Sequence, residues 1–270
     1  MKATDAAAEQ TSQNPSLRGA ASEPRSASSP LFYRQPVPLS SVTHASWRLK
    51  GGDVAYASDT NALPVMVGEF GAAAHSYPLV FAAKDASPVA LVGLQQLNVF
   101  VSDGKWSEGH YIPAYVRRYP FVFIHVEDQD RFVLAVDAGS ERIVRQGEEG
   151  VPLFDNGAPT DVTKQALEFC RAFTGEHRAT SAFSAALRAQ GLLTARHADV
   201  VMPNGRKLSL SGFEVVDAEK FAALPDAVVV EWHRKGWLRL VNLHLASLDR
   251  FTDLLSRQSA RDSNVGAVAH

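Results

Sequence analysis

The stretch Tyr111-Ile-Pro-Ala-Tyr-Val-Arg-Arg-Tyr-Pro-Phe-Val-Phe123 sets two guanidinium groups inside a run of aromatic, proline and branched apolar residues. A guanidinium buried without a carboxylate, phosphate or carbonyl partner is costly, so Arg117 and Arg118 need acceptors in the fold, in a ligand or at an exposed edge. Read as a strand, the segment puts Tyr115, Arg117 and Tyr119 on one face and Arg118 on the other. At most one arginine then reaches a given pocket, where Tyr111, Tyr115 and Tyr119 offer stacking faces and hydroxyls. The plain alternative is that both arginines pair with internal acids or loop carbonyls and tie the sheet to later helices.

Working outward, the N-terminal side reads as mostly β. Leu31–Leu39 is extended by its prolines and suits an edge strand. A short strand is expected at Ala45–Leu49, and a helix at Leu63–Ala74 with Asn61 as cap and Pro64 in its first turn. Strands follow at Leu79–Ala83, Val89–Leu94 and Asn98–Val101, and Asp103-Gly104 marks a tight hairpin because this pair accepts positive φ. Phe121–Val126 and Phe132–Val136 flank the polar Glu-Asp-Gln-Asp-Arg loop as a second hairpin.

The C-terminal side reads as helical. From Asp161 to about Gln190, Leu167, Cys170, Phe173, Phe183 and Leu187 recur at helical spacing, with a possible break at Thr174-Gly175. Asp199–Met202 and Lys207–Val215 enclose Pro-Asn-Gly-Arg as a third hairpin. Helices at Ala218–Leu224, Asp226–Lys235 and Leu238–Leu255 close the chain. The expected class is therefore α+β: a bent antiparallel sheet or partial β-barrel in the N-terminal half, packed with C-terminal helices and a β-hairpin. Residues 1–30 read as a disordered tail, 31–258 as a single domain (β-rich over 31–150, helix-rich over 151–258) and 259–270 as a flexible C-terminus.

Composition narrows the function classes. Lys+Arg of 27 against Asp+Glu of 29 leaves a net charge of -2, which gives no reason to expect nucleic acid as a partner. The chain offers no run of about 20 apolar residues for a membrane span. Its one cysteine, Cys170, cannot build an intrachain disulfide framework or a cysteine-based zinc site, which suits a reducing cytoplasm.

Chemistry has few footholds. Glu69, between Gly68 and Phe70, is the best acid–base candidate, since burial raises a carboxyl pKa, or else the internal partner of Arg117 or Arg118. His125-Val126-Glu127 has the spacing of a histidine-plus-carboxylate iron site and needs a distal histidine, His233 or His244. The alternative is a plain strand running into a solvated acidic loop. Gly-x-Ser-x-Gly, Walker and Gly-x-Gly-x-x-Gly motifs are absent from the sequence, and Cys170 sits at an apolar helical position that suits an inert thiol.

Ordered landmarks from Leu31 to about Leu254 resemble the SapC family. They are Tyr33…Pro36-Val-Pro38, His44, Glu69-Phe70 with Tyr77-Pro78, Leu91-Val-Gly-Leu94 with Asn98-Val-Phe100, the Tyr111–Phe121 motif, and Leu208–Phe213. The resemblance implies association with a bacterial surface layer or a peptide-transport label, and gene neighbours that include TonB-dependent receptors, flavin-dependent tryptophan halogenases and cupin-like proteins. Together these readings predict a non-catalytic cytoplasmic accessory protein without a cofactor. It is expected to bind a peptide or protein partner, in a halogenase or receptor system, through a groove lined by Trp106, Tyr111, Tyr115, Arg117 or Arg118 and Tyr119, with Glu69 and His44 nearby. The alternatives are an iron-dependent oxygenase acting on a peptide, with His125, Glu127 and His244 as ligands, and a structural surface-layer component.

Overall fold

The computed structural model describes residues 30–126, 131–201, 205 and 207–268, so the proposed tail before Pro30 and Glu127 lie outside the described residues. The main strands are β1 (Pro36–Pro38), β2 (Ala62–Pro64), β3 (Leu79–Ala82), β4 (Pro88–Leu91), β5 (Phe121–Val126), β6 (Arg131–Asp137), β7 (Leu193–Val201) and β8 (Lys207–Val216). The helices are α1 (Phe70–Ala73), α2 (Ala114–Arg117), α3 (Asp161–Ala189), α4 (Ala218–Ala222), α5 (Asp226–Arg234), α6 (Trp237–Ser247) and α7 (Arg250–Val268). The chain is α+β, as expected, and its strands form open antiparallel sheets. The larger has the order β7-β8-β3-β4-β2 and the smaller β1-β6-β5. The C-terminal hairpin therefore adds to the N-terminal strands through Phe213↔Ala82 and Glu214↔Phe81 instead of standing with the helices.

Local chemistry accounts for most elements. Asp103 (φ 50) and Gly104 (φ 69) make the two-residue turn that pairs Val101 with Trp106. The β5–β6 hairpin runs in unbroken register from Phe121↔Val136 to Val126↔Arg131. Helix α3 continues through Thr174-Gly175, because its buried stripe stays in phase on both sides, from Cys170 and Phe173 to Thr180, Phe183 and Leu187. Packing of that stripe outweighs the roughly 1 kcal/mol that a mid-helix glycine costs. Phe183 meets Phe70 at 6.1 Å and Phe81 at 6.3 Å, bringing α3 onto the larger sheet.

Several expectations change. Leu63–Ala74 is not one helix: Ala62–Pro64 pairs with β4, Leu63 opposite Ala90, and only Val67–Glu69 and Phe70–Ala73 turn helically. Pro64 is tolerated because β2 is an edge strand, and Asn61 is no cap, its carbonyl accepting from the Val92 N–H at 2.8 Å. Asn98–Val99 turns instead of forming strand, with the Asn98 amide donating to the Ala57 carbonyl and accepting from the Phe100 N–H. The expected Leu238–Leu255 helix divides at Leu248-Asp249 into α6 and α7. Residues 259–268, read as a flexible end, continue α7, and the Arg261 guanidinium donates to the carbonyls of Asn98 and Val101.

Strands β3 and β8 part beyond Phe81, and side chains from α6 replace the missing ladder bonds. His244 is fully buried; its Nδ1–H donates to the Leu79 carbonyl at 2.8 Å while its Nε2 accepts from the Val216 N–H at 3.0 Å. The Leu79 N–H donates to Ser247 Oγ, whose hydroxyl donates back to the His244 carbonyl. Only a neutral imidazole can both donate and accept here.

Burial lowers the His244 pKa from 6.5 to about 4. As pH falls, the unfolded chain takes up this proton before the folded one does. The contribution to stability is therefore complete above about pH 6.5 and is lost as pH falls through about 4, amounting to about 3 kcal/mol in all. We expect urea-unfolding free energies measured between pH 7 and 4 to fall by this order. His244→Ala should abolish that part of the pH dependence and destabilise the protein by about 2–4 kcal/mol at pH 7, since two buried backbone groups lose their partners.

Candidate functional site

The Tyr-Arg segment is a turn of helix, not a strand. Pro113 at its N-cap fixes an extended φ/ψ of -55 and 145, and Ala114–Arg117 then form α2. What selects the helix is Glu69. Its Oε1 accepts from the Ala114 N–H at 2.6 Å and from the Tyr111 hydroxyl at 3.0 Å, and its Oε2 accepts from the Met66 N–H at 2.9 Å. One carboxylate thus caps α2 and closes the turn at Val67–Glu69. Burial raises the Tyr111 hydroxyl pKa, and the adjoining Glu69 carboxylate raises it further.

Helical geometry separates the arginines differently from strand alternation. Arg118 is buried, with its guanidinium carbon 4.3 Å from the Tyr115 ring centroid, 4.4 Å from Phe173 and 5.7 Å from Tyr33. It is the inward arginine, enclosed by rings, a setting in which cation–π attraction gains from desolvation. Arg117 is exposed. Its Nε–H donates to the Ile112 carbonyl at 3.0 Å and its guanidinium to the Tyr111 hydroxyl at 2.9 Å, between the Tyr111 and Phe169 rings. Arg117 reaches Glu69 through the Tyr111 hydroxyl, in place of the direct pair with Arg117 or Arg118 that was the alternative reading of Glu69.

The remaining aromatic candidates point their polar atoms inward. Trp106 Nε1–H donates to the Tyr77 hydroxyl at 3.0 Å, and Tyr77 donates to the Tyr111 carbonyl. Tyr115 is buried and donates to the Leu31 carbonyl. Tyr119 stacks on Tyr56 at 4.1 Å and donates to Asp137, a fully buried carboxylate that also takes the N–H groups of Arg34, Gln35 and Gly139. This set is a structural keystone, and Arg117 is the member left with a solvent-facing edge.

The histidine candidates do not converge. His44 accepts from the Ser40 N–H at 3.0 Å and lies 4.1 Å from the Trp47 ring; burial and then Arg145 lower its pKa. His125 is exposed on β5, beside Phe132 at 5.2 Å. His244 has both ring nitrogens committed to backbone, so it cannot ligate a metal without breaking the sheet repair. His233 lies on α5. Among the described residues no cluster of three or more His, Cys, Asp or Glu stands ready for a metal ion. Burial raises the Cys170 thiol to about 11, against a smaller lowering by Arg118, so it is no ready nucleophile.

A groove of about 530 Å³ opens elsewhere, between β8 and the α6–α7 junction. Its helical wall is a single apolar stripe, Leu245, Leu248, Phe251 and Leu255, which carries across the helix break; its floor is Phe213 and Val215 of β8, with Phe251 6.2 Å from Phe213. Arg196, His197 and Thr252 supply its polar groups. The floor depends on Gly212. Register steps from Arg196↔Phe213 to Ala198↔Leu210, so Ser211 and Gly212 together oppose His197. Gly212 adopts a positive φ of 84 there, a conformation glycine takes without strain, and the extra residue keeps Leu208, Leu210, Phe213 and Val215 on one face. Sequence reasoning missed this groove, although the phase slip at Ser211-Gly212 and the 245/248/251/255 spacing were visible signals.

A family model, SapC, matches residues 39–254. No curated protein and no solved structure matches the chain.

The arginines make a paired test. Arg118→Ala removes a buried side chain from its cage and should cost about 2–4 kcal/mol in urea unfolding, whereas the exposed Arg117→Ala should stay within about 1 kcal/mol of the parent. Glu69→Ala, which orphans two buried N–H groups, should resemble Arg118→Ala.

Proposed function

We propose that this chain, which belongs to the SapC family, is a non-catalytic binding protein that holds an apolar, acid-bearing peptide segment of a partner in the groove between β8 and α6–α7. The groove itself carries this reading. Its volume of about 530 Å³ falls in the range of clefts that enclose ligands or anchoring side chains. Among the described residues the lining itself holds no carboxylate and no thiol; its histidine, His197, sits 3.7 Å from Asp199, which lies outside the lining, so an apolar stripe and not an acid–base pair dominates the groove. Arg196 is exposed at the edge, and no described residue pairs with it, which suits a carboxylate arriving with apolar neighbours.

The Tyr-Arg segment joins the turn after β2 through Glu69, at the other edge of the sheet from the groove. The partner is a peptide or protein, and the halogenase and TonB-dependent receptor systems implied by the family resemblance are the first to try. We assign the protein to the cytoplasm, where its single buried thiol at Cys170 would stay reduced. No helix among the described residues is long and apolar enough to cross a membrane.

Fluorescence anisotropy with a labelled peptide alternating leucine, phenylalanine and glutamate tests the idea. We expect saturable binding, abolished by Phe251→Glu, weakened about tenfold by Arg196→Glu (a lost charge-assisted contact) and unchanged by Arg117→Ala. Loss of binding in Arg117→Ala with Phe251→Glu unaffected would return the site to the Tyr-Arg face and refute the groove.

A further inference from the structure

Strand β7 forms the outer edge of the five-stranded sheet and runs from Leu193 to Val201. It pairs with β8 over its whole length, and among the described residues no strand lies on its other side. Beyond Phe213 the hairpin stands clear of β3, whose pairing with β8 is confined to Phe213 and Glu214. The bulge falls on β8, so the alternation of β7 is undisturbed. Edge strands usually discourage pairing with proline, charged side chains or a bulge of their own. β7 has no proline, and its charges are of both signs: Arg196, His197 and Asp199.

The order of those charges specifies a partner. His197 and Asp199 share a face, with Nε2 and Oδ2 3.7 Å apart and both side chains exposed. Two copies meeting edge to edge about a two-fold axis perpendicular to the sheet run antiparallel with the same face upward. Directly opposed residues must then share a face, which restricts the axis to a residue position. An axis through position 197 sets His197 against its own copy, and one through 199 sets Asp199 against its own copy. An axis through Ala198 sets His197 opposite the partner's Asp199, and Asp199 opposite the partner's His197, closing a ring of alternating donors and acceptors.

We propose that the chain self-associates through β7 in this register, joining two five-stranded sheets into one continuous sheet with Ala198 on the two-fold axis. The pairing shares His197 with the border of the groove, so the crosslink at position 198, which lies outside the groove lining, reads it separately from groove binding.

The full-length Ala198→Cys protein tests the register. Opposed Cα atoms in an antiparallel pair lie about 4.5–5.5 Å apart, within the span a disulfide bridges. Under mild oxidation this variant should form a covalent dimer, while Ala195→Cys, which faces position 201 of the partner, should not. In sedimentation equilibrium, His197→Asp should weaken dimerisation at least tenfold by opposing two acids, and the swap His197→Asp/Asp199→His should restore it. A monomer at every concentration, equal crosslinking of the two cysteine variants, or an unchanged His197→Asp dimer would each overturn the proposal.

Discussion

A carboxylate taken out of water has to be supplied with donors, and the donors chosen for Glu69 come from places the chain must bring together. The Met66 N–H belongs to the turn after β2; the Ala114 N–H and the Tyr111 hydroxyl belong to the motif 45 residues later. Meeting this one demand starts α2, directs Arg118 into its ring enclosure and leaves Arg117 outside. The rings then take over: Trp106 donates to Tyr77 and Tyr77 to Tyr111, while Tyr119, later in the same motif, donates separately to Asp137 in the smaller sheet. The polar chemistry of the motif thus reaches both the turn after β2 and the smaller sheet.

His244 solves a related problem by another route. Where β3 and β8 separate, backbone groups would be left buried without partners, and an imidazole with one donor and one acceptor fits the gap. The separation that creates this need also lets α6 approach the sheet, and the α6–α7 stripe that follows becomes one wall of the groove. Sheet repair and groove formation are consequences of the same divergence.

Much of the fold was legible in local pattern. Asp103-Gly104, the β5–β6 hairpin and the stripe of α3 each carry their own signal, and the family landmarks from His44 onward fall within the matched span of 39–254, while Tyr33 and Pro36-Val-Pro38 precede it. What could not be read was decided at a distance. Tyr115, Arg117 and Tyr119 alternate as a strand would, and only Glu69 makes the segment turn. Leu63-Pro64 follows an apparent cap and looks like a helix start, yet the waiting edge of β4 takes it as strand. The groove went unread for the same reason. Sequence draws attention to unusual residues such as arginines among rings, whereas the groove is made from ordinary leucines and phenylalanines on separate segments, whose meeting no single window records.

Gly212 bears a consequence beyond its turn. Everything on β8 from Lys207 to Leu210 inherits its facing from one residue with positive φ, so the bulge works as a phase converter between two halves of a strand. Such a converter makes the outer surface digital: the same leucines, in the same order, face the groove side or the opposite side according to whether one residue is present. Insertions and deletions at Ser211-Gly212 are therefore the changes by which relatives of this chain could exchange an apolar face for a polar one without altering a single apolar residue.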